Sequence, residues 1–394
     1  MPQAPDAPLR VLRVITRLNI GGPAIQAVSL STGLAAEGFE TLLVHGRLGP
    51  GEGDMSYLLA AQPVRTLYLP TLQRPVRPLA DLWTFAQLLR ILTRFRPDVV
   101  HTHMAKAGLL ARAAAILYNL THPRQRRIAL VHTYHGHVFE GYFPLLVTRV
   151  FIALERLLAR KTDALIAVSP RVRDDLVARY RIGGRGRFVV APLGFDLETF
   201  AGVDDRTRAA ARRDLEIPPG AAVVTTVGRL TAIKNQMLFL EAAARLTGAA
   251  TFLIVGDGEM RADLERGARE RGLGARVRFL GWRRDLAAIH AASDVFAMTS
   301  LNEGTPAALI EAMAAGVSPV ATDVGGVRDV IQDESMGIVV PPEDAAALAG
   351  AIRNLLDNPG HRASMAAAAR RSVLARYTVA KLTGGIASLY REIV

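Results

Sequence analysis

Short apolar runs alternate with longer amphipathic stretches along this chain, and glycines or polar clusters sit at the joins. Leu9–Ile15 is a β-rich run, residues 16–22 form a loop closing on Gly21-Gly22, and residues 23–37 read as an Ala/Leu-rich helix stopped by Gly38. Strands are expected at Thr41–Val44, at Pro63–Tyr68, ending at Asp98–His103, and from Leu130 into a loop that reaches His137. Helices are expected over 79–94 and 105–117, and Phe143–Arg160 is a strongly apolar helix. Asp163–Ser169 is a strand, and residues 181–187 are a basic, glycine-rich loop. Ala222–Val227, Gly228–Asn235 and Gln236–Leu246 then repeat the opening order of strand, loop and helix. Further strands fall at Thr251–Val255, Val277–Leu280 and Val295–Met298, and helices at Asp285–Ala292, Asp344–Leu356, Pro359–Ala375 and 378–393.

Strands alternating with helices predict an α/β fold, and the repeated opening predicts two doubly wound, parallel-sheet halves. At 394 residues the chain is long for one core, which agrees with two domains. The expected division is 1–194 and 195–377, with Pro192, Gly194 and the polar stretch 201–220 marking the linker region. Gly21-Gly22 reads either as a tight turn or as a close backbone approach to a ligand. It is not a Gly-x-Gly-x-x-Gly fingerprint, so a dinucleotide cofactor is not expected.

Composition narrows the class. Half the residues are hydrophobic and 21% are charged, as in a packed globular protein, and residues 1–8 read as a disordered start. There is no cysteine, hence no disulfide and no thiolate metal site. The apolar run at 11–15 is broken by Arg13 and is short for a signal peptide or a span; Arg149 and Glu155 argue against a span in the 143–160 helix. A cytoplasmic location is expected. Of the formal charge of +12, all the excess lies early: residues 1–190 hold 25 Lys and Arg against 12 Asp and Glu. Arg74 and Arg77, the group Arg124, Arg126 and Arg127, and the strip Arg149, Arg156 and Arg160 suggest an anionic partner. Nucleic acid ranks lowest, because no nucleic-acid motif is present. An acidic glycan and peripheral contact with an anionic membrane, on the inner face of the cytoplasmic membrane, stay open.

Candidate chemistry concentrates in residues 299–326. Val295–Met298 runs into a polar loop, Thr305-Pro306 reads as a helix cap followed by proline at the first helical position, and Gly316 stops the helix. The free N–H groups at such a helix start suit a phosphate. Glu303 precedes the helix, and Glu311 lies about 7–8 Å along it at 1.5 Å per residue. A carboxylate repels phosphate, so the two are suited to hydroxyls on either side of one: a diphosphate between two hydroxyl-rich rings, a nucleotide sugar. Arg229 and Lys234 follow the strand Ala222–Val227, where two cations make a diphosphate clamp. His101, His103, His132, His135 and His137 form a dense group at strand ends, which suits a substrate cleft; no carboxylate or Cys completes a metal spacing, and no metal or cofactor is expected.

The setting Glu303-Gly-Thr-Pro…Glu311-Ala-Met-Ala-Ala-Gly316 resembles the motif of the retaining glycosyltransferases of the family-4 type, whose fold is the two-domain GT-B arrangement around a central cleft. Ser318 before Pro319 departs from the usual Gly-x-Pro-Val. The resemblance runs from Leu9 to the C-terminus, and it implies a role for each matching residue. Gly21 and Gly22 lie against the donor's terminal phosphate. Gly228-Arg229 and Lys234-Asn235 form the diphosphate loop, and Gly281-Trp282 runs along the base. Glu303, with the backbone of Gly304, Thr305, Pro306 and Ala307, holds the donor sugar, while Glu311 holds the ribose. His135, in Thr133-Tyr-His135, lines the transferring sugar, with His137 its nearest rival. The catalytic set is then His135, Arg229, Lys234 and Glu303.

By the same resemblance the donor binds the C-terminal half and the acceptor, a glycan or a polyprenyl-linked sugar, the N-terminal half. The last helix, 378–394, crosses back onto the first domain. Configuration is retained, with the leaving phosphate taking the acceptor proton. No Asp-x-Asp stands at a strand end, so transfer is expected to be metal-independent. The alternatives are a GT-B epimerase or phosphorylase, and a non-catalytic sugar-nucleotide-binding protein.

Overall fold

The computed structural model describes residues 8–19, 21–49, 52–61, 64–136, 145–248 and 250–394. Residues 1–7, His137 and residues 143–144 of the expected apolar helix lie outside these. The chain divides into two compact units: Met1–Phe195 with Val379–Val394, and Asp196–Thr378. Among the described residues no helix is long and apolar enough to cross a membrane.

Unit 1 is built on a seven-stranded sheet: β1 (Arg10–Ile15), β2 (Glu40–Gly46), β3 (Thr66–Leu69), β4 (Val99–His103), β5 (Ala129–Tyr134), β6 (Ala164–Ala167) and β7 (Phe188–Val190). The spatial order is β3-β2-β1-β4-β5-β6-β7, and every pairing is parallel. Strands covered on both faces read as continuous apolar runs, and β4, β5 and β6 are buried throughout. The ladder of β3 to β2 begins with Thr66 opposite Leu43; Pro63, where the expected strand begins, lies outside the described residues.

The last helix, Val379–Ile393, completes unit 1. Leu382, Ile386, Leu389 and Tyr390 pack with Val11, Leu30, Leu34 and Val99 in one core. Arg13, read from the sequence as a break in an apolar run, is fully buried beneath this helix. Its Nη1 donates to Ser31 Oγ and its Nη2 to Tyr390 Oη, both at 3.1 Å. The tyrosine Oη also lies within hydrogen-bond distance of His101 Nδ1, 2.5 Å away, and His101 Nε2 lies 2.7 Å from Thr133 Oγ1. Nearby, Arg112 Nη2 donates to both oxygens of Glu155, at 2.7 and 2.8 Å, and Tyr134 Oη donates to the same carboxylate at 2.9 Å.

Unit 2 holds six strands: β8 (Val223–Val227), β9 (Thr251–Val255), β10 (Val277–Gly281), β11 (Val295–Met298), β12 (Ser318–Thr322) and β13 (Ile338–Val340). Their order is β10-β9-β8-β11-β12-β13, again all parallel. β13 has only three residues, too few for a periodic pattern to show in the sequence. Part of the stretch read as linker is structured. Asp204 caps the helix Asp205–Asp214 by accepting from Thr207 N–H, and Arg208 and Arg212 of that helix pair with Asp294 at 2.7 and 3.5 Å. An isolated polar segment gives no sign of such a partner eighty residues away.

Burial holds His101, His103, His132 and His135 of unit 1 well below the usual imidazole range, His135 at about 3. Their neutral forms stabilise the fold at neutral pH. As the pH falls through the unfolded value of about 6.5, the unfolded chain takes up protons that the folded chain refuses, and stability drops. Going from pH 7.5 to 5.5 is therefore expected to destabilise unit 1. Hydrogen exchange resolved by peptide checks this: protection of β4 and β5 collapses on acidification before that of β8 and β11.

Candidate active site

In both units the order of the strands reverses its direction of growth beside the first strand, between β1 and β4 and between β8 and β11. The connections leaving the carboxyl ends of two such strands run to opposite sides of the sheet and leave a crevice where a ligand binds. In unit 2 the residues leaving β8 are Gly228 to Asn235, and those leaving β11 are Thr299 to Pro306. Topology alone therefore brings Arg229 and Lys234 to the same crevice as Glu303.

Backbone bonds join the two segments. Leu301 N–H donates to Ile233 O at 2.8 Å, and Thr299 Oγ1 donates to Lys234 O at 3.1 Å. The Lys234 ammonium then reaches Glu303 Oε1 at 2.6 Å, and Ser300 Oγ donates to the same oxygen at 2.6 Å. The carboxylate side chain is 9% exposed and the lysine 27%, so this charge-assisted pair is partly shielded from water. The ammonium keeps two further N–H donors, and Glu303 Oε2 stays open. Arg229 is exposed, and its guanidinium has no partner among the described residues. Its backbone is held instead, by Gln236 Nε2 donating to its carbonyl at 2.9 Å.

Glycines let neighbouring loops press against these segments. A Cβ on Gly256 would stand 1.9 Å from Gly228 O, and one on Gly258 would stand 2.4 Å from Leu230 O. On the other side a Cβ on Gly325 would stand 1.8 Å from Glu303 O, and one on Gly326 would stand 2.0 Å from Gly304 O. Gly326 N–H donates to Glu303 O at 3.0 Å. The glycine pair Gly325-Gly326 thus supports the Glu303 loop, a role the sequence reading does not assign. Ser300 was missed as well. The clue was a glycine pair directly after a strand adjacent to the one that carries the acid.

The helix start differs from expectation. Pro306, at φ −77° and ψ 85°, is itself the cap residue, and the helix runs Ala307–Ala314 with no side-chain cap. Thr305 therefore caps nothing, and its hydroxyl is buried without a partner. The helix's first N–H groups stay available for an anion. Gly316 does stop the helix, at φ +77°. Glu311 lies within it, partly exposed by surface yet surrounded by enough protein to lose most of its hydration, and burial pushes it up to about 7. Gly281 ends β10, two strands from β8, and Trp282 follows it. Gly281 O accepts from Gly256 N–H at 2.8 Å, and the Trp282 ring is exposed.

In unit 1, Gly21 (φ +148°) caps the helix Gly22–Ala36 directly after β1, and a Cβ on Gly22 would meet Leu193 Cδ1 at 2.5 Å. His135 ends β5. Its Nε2 lies 3.0 Å from Nδ1 of His103, at the end of β4, and both rings are neutral. Among the described residues, the buried His103 Nε2 and His135 Nδ1 have no hydrogen-bond partner. The sequence places His103 in the histidine group at strand ends but does not pair it with His135; parallel register sets it opposite Thr133, two residues before His135. Among the described residues no group of three or more His, Asp or Glu is placed to hold a metal.

Residues 207–372 match the glycosyl transferases group 1, and residues 20–199 match Glycosyltransferase Family 4. UDP-Gal:alpha-D-GlcNAc-diphosphoundecaprenol alpha-1,3-galactosyltransferase of Escherichia coli is 30% identical over 337 residues, 84% of this chain and 84% of that one. This chain belongs to the group 1, family 4 glycosyltransferases. The glycosyltransferase is also 30% identical over 331 residues to alpha-D-kanosaminyltransferase of Streptomyces kanamyceticus, covering 80% of this chain and 84% of the relative. Its fold is GT-B. Anabaena HepE in complex with UDP superposes with a TM-score of 0.83 at 21% identity, covering 98% of this chain and 100% of the other. It is thus an enzyme of class EC 2.4 that uses nucleotide-sugar donors.

Gly325→Ala tests the backbone support of this glycosyltransferase's Glu303 loop. The new methyl meets a carbonyl oxygen, and the backbone sits at φ +49°, so the loop must move. The expected outcome is a drop in stability on the order of 1–3 kcal/mol, with weakened nucleotide binding, measured by thermal unfolding and calorimetry.

Proposed function

We propose that this glycosyltransferase moves a hexose from a UDP-sugar to a polyprenyl-diphosphate-linked sugar, with retention of anomeric configuration and without a metal ion. The observation that carries the reading is the Lys234–Glu303–Ser300 cluster at the strand crossover, next to the open start of the Ala307–Ala314 helix. Arg229, the free donors of Lys234 and the helix N–H groups balance the diphosphate, including the charge that grows as it leaves. Glu303 Oε2 accepts from donor-sugar hydroxyls, and Glu311 accepts from the ribose. His135, neutral and held by His103, lines the reacting sugar. The leaving phosphate takes the acceptor proton.

The choice of uridine is supported by the Escherichia coli relative, named for UDP-Gal, and by the Anabaena structure with UDP. The same relative, named for a diphosphoundecaprenol-linked acceptor, supports the lipid-linked acceptor and, with it, peripheral contact with the membrane's inner face. The experiment is transfer from a panel of UDP-hexoses to a diphosphate-lipid-linked sugar, with the new linkage read by NMR. Lys234→Ala is expected to lower turnover roughly a hundredfold or more. Transfer persists in excess chelator; complete loss, restored by magnesium, would contradict charge balance by Arg229 and Lys234.

Glu311 gives the proposal a pH signature. Ribose hydroxyls donate to the ionised carboxylate, so nucleotide binding favours that form. Because the free enzyme holds this group at about 7, affinity for UDP is expected to fall as the pH drops below about 7, by up to tenfold per unit. Glu311→Gln binds UDP more weakly at pH 8 and with a flatter pH profile, as calorimetry across the range will show.

A further inference from the structure

At the end of the Leu145–Lys161 helix a pocket of about 250 Å³ opens on unit 1, lined by Arg156, Arg160, Arg181 and Arg187 with the Gly183-Gly184 turn. Among the described residues no carboxylate lines it. Two of the arginines build its walls. Arg187 Nη1 donates to the carbonyls of Ala159 and Arg160 at 3.1 Å each, closing the helix end, and Arg156 Nε donates to Tyr180 O at 2.8 Å. The guanidinium groups of Arg160 and Arg181 have no partner among the described residues. Four cations around one concavity repel each other and concentrate positive potential in it. Their planar forks match the oxygens of a phosphate. The pocket lies where β6 and β7 begin, the opposite end of the sheet from His103 and His135, so it is separate from the sugar-nucleotide chemistry.

The outer face of the same helix points to the source of that phosphate. Arg149, Arg156 and Arg160 are exposed, and so are Val150 and Leu157, at 55% and 57%. Val150 and Leu157 are seven apart, as are Arg149 and Arg156, so an apolar row runs beside the basic row. The one carboxylate in the helix, Glu155, is turned inward onto Arg112. Exposed apolar side chains interleaved with cations suit a helix lying in a lipid interface, not one facing water. Other basic groups fit this less well: Arg126 and Arg127 pair with Asp98 and Asp163, and Arg74 stands 3.8 Å from Glu52.

We propose that this pocket takes the phosphate headgroup of an anionic phospholipid while Val150 and Leu157 enter the interface beside it. The proposal gives the membrane contact suggested above its location and rests on that reading. Wild-type protein is expected to co-sediment with phosphatidylglycerol-containing vesicles at low salt, to be released as salt screens the charges, and to ignore pure phosphatidylcholine. Arg160→Ala with Arg181→Ala should weaken partitioning about 30-fold, from about fivefold for each basic side chain near the surface. Leu157→Asp should abolish vesicle binding. All these variants should retain UDP affinity and transfer to a detergent-dispersed acceptor.

Wild-type protein that binds no anionic vesicle overturns both the membrane contact and this site. Binding that survives the double arginine change overturns the site alone. If glycerol phosphate protects the protein against heat through Arg160 and Arg181 while vesicle binding is indifferent to Leu157→Asp, the pocket takes a soluble phosphate and the lipid assignment fails.

Discussion

The candidate site of unit 2 depends on how closely one backbone approaches another. Gly256 and Gly258 press on the loop that carries Arg229, and Gly325 and Gly326 press on the loop that carries Glu303, at distances that leave no room for a methyl group. Both loops are thereby fixed by main chain, and their side chains are left free for chemistry. Glu303 shows the division: its carbonyl is taken by Gly326, while its carboxylate faces Lys234 and Ser300. Such rigid support lets a partly shielded ion pair persist beside a site proposed to accept a diphosphate.

The features legible in the sequence were those carried by residue type and spacing. Strand, glycine and helix recur, and the resulting sheets are parallel and doubly wound. Glu303 and Glu311 stood out because two carboxylates flank a helix start, and Arg229 and Lys234 because two cations follow a strand. Relations across long separations were not legible. The sequence offers Lys234 as a phosphate ligand and Glu303 as a sugar ligand, but it does not show that one neutralises the other. Arg13 looked like an interruption, because its partner Tyr390 lies 377 residues away. Thr305 looked like a cap because Thr-Pro usually is one; a non-helical ψ at Pro306 moves the start by a residue.

Charge in unit 1 has a similar lesson. The excess of cations in residues 1–190 is not a uniform coating. Arg112 is buried against Glu155, Arg127 grips Asp163 with two bonds, and Arg187 closes a helix. Others, the guanidinium groups of Arg160 and Arg181 among them, line one pocket without a partner among the described residues. The same residue thus acts as core strut, surface pair, cap or open cation according to its neighbours, and a charge count sees only the sum.

The last helix belongs to the first unit, and this sets an order for biosynthesis. When residues 1–195 have left the ribosome, Arg13 and His101 lie in a half-built core with their tyrosine still untranslated. Unit 2, being continuous in sequence, can close as soon as Thr378 emerges, whereas unit 1 must wait for Val379–Val394. Unit 1, begun first, is therefore completed after unit 2, and a chain stalled before Val379 would carry one folded unit and an exposed, cation-bearing sheet.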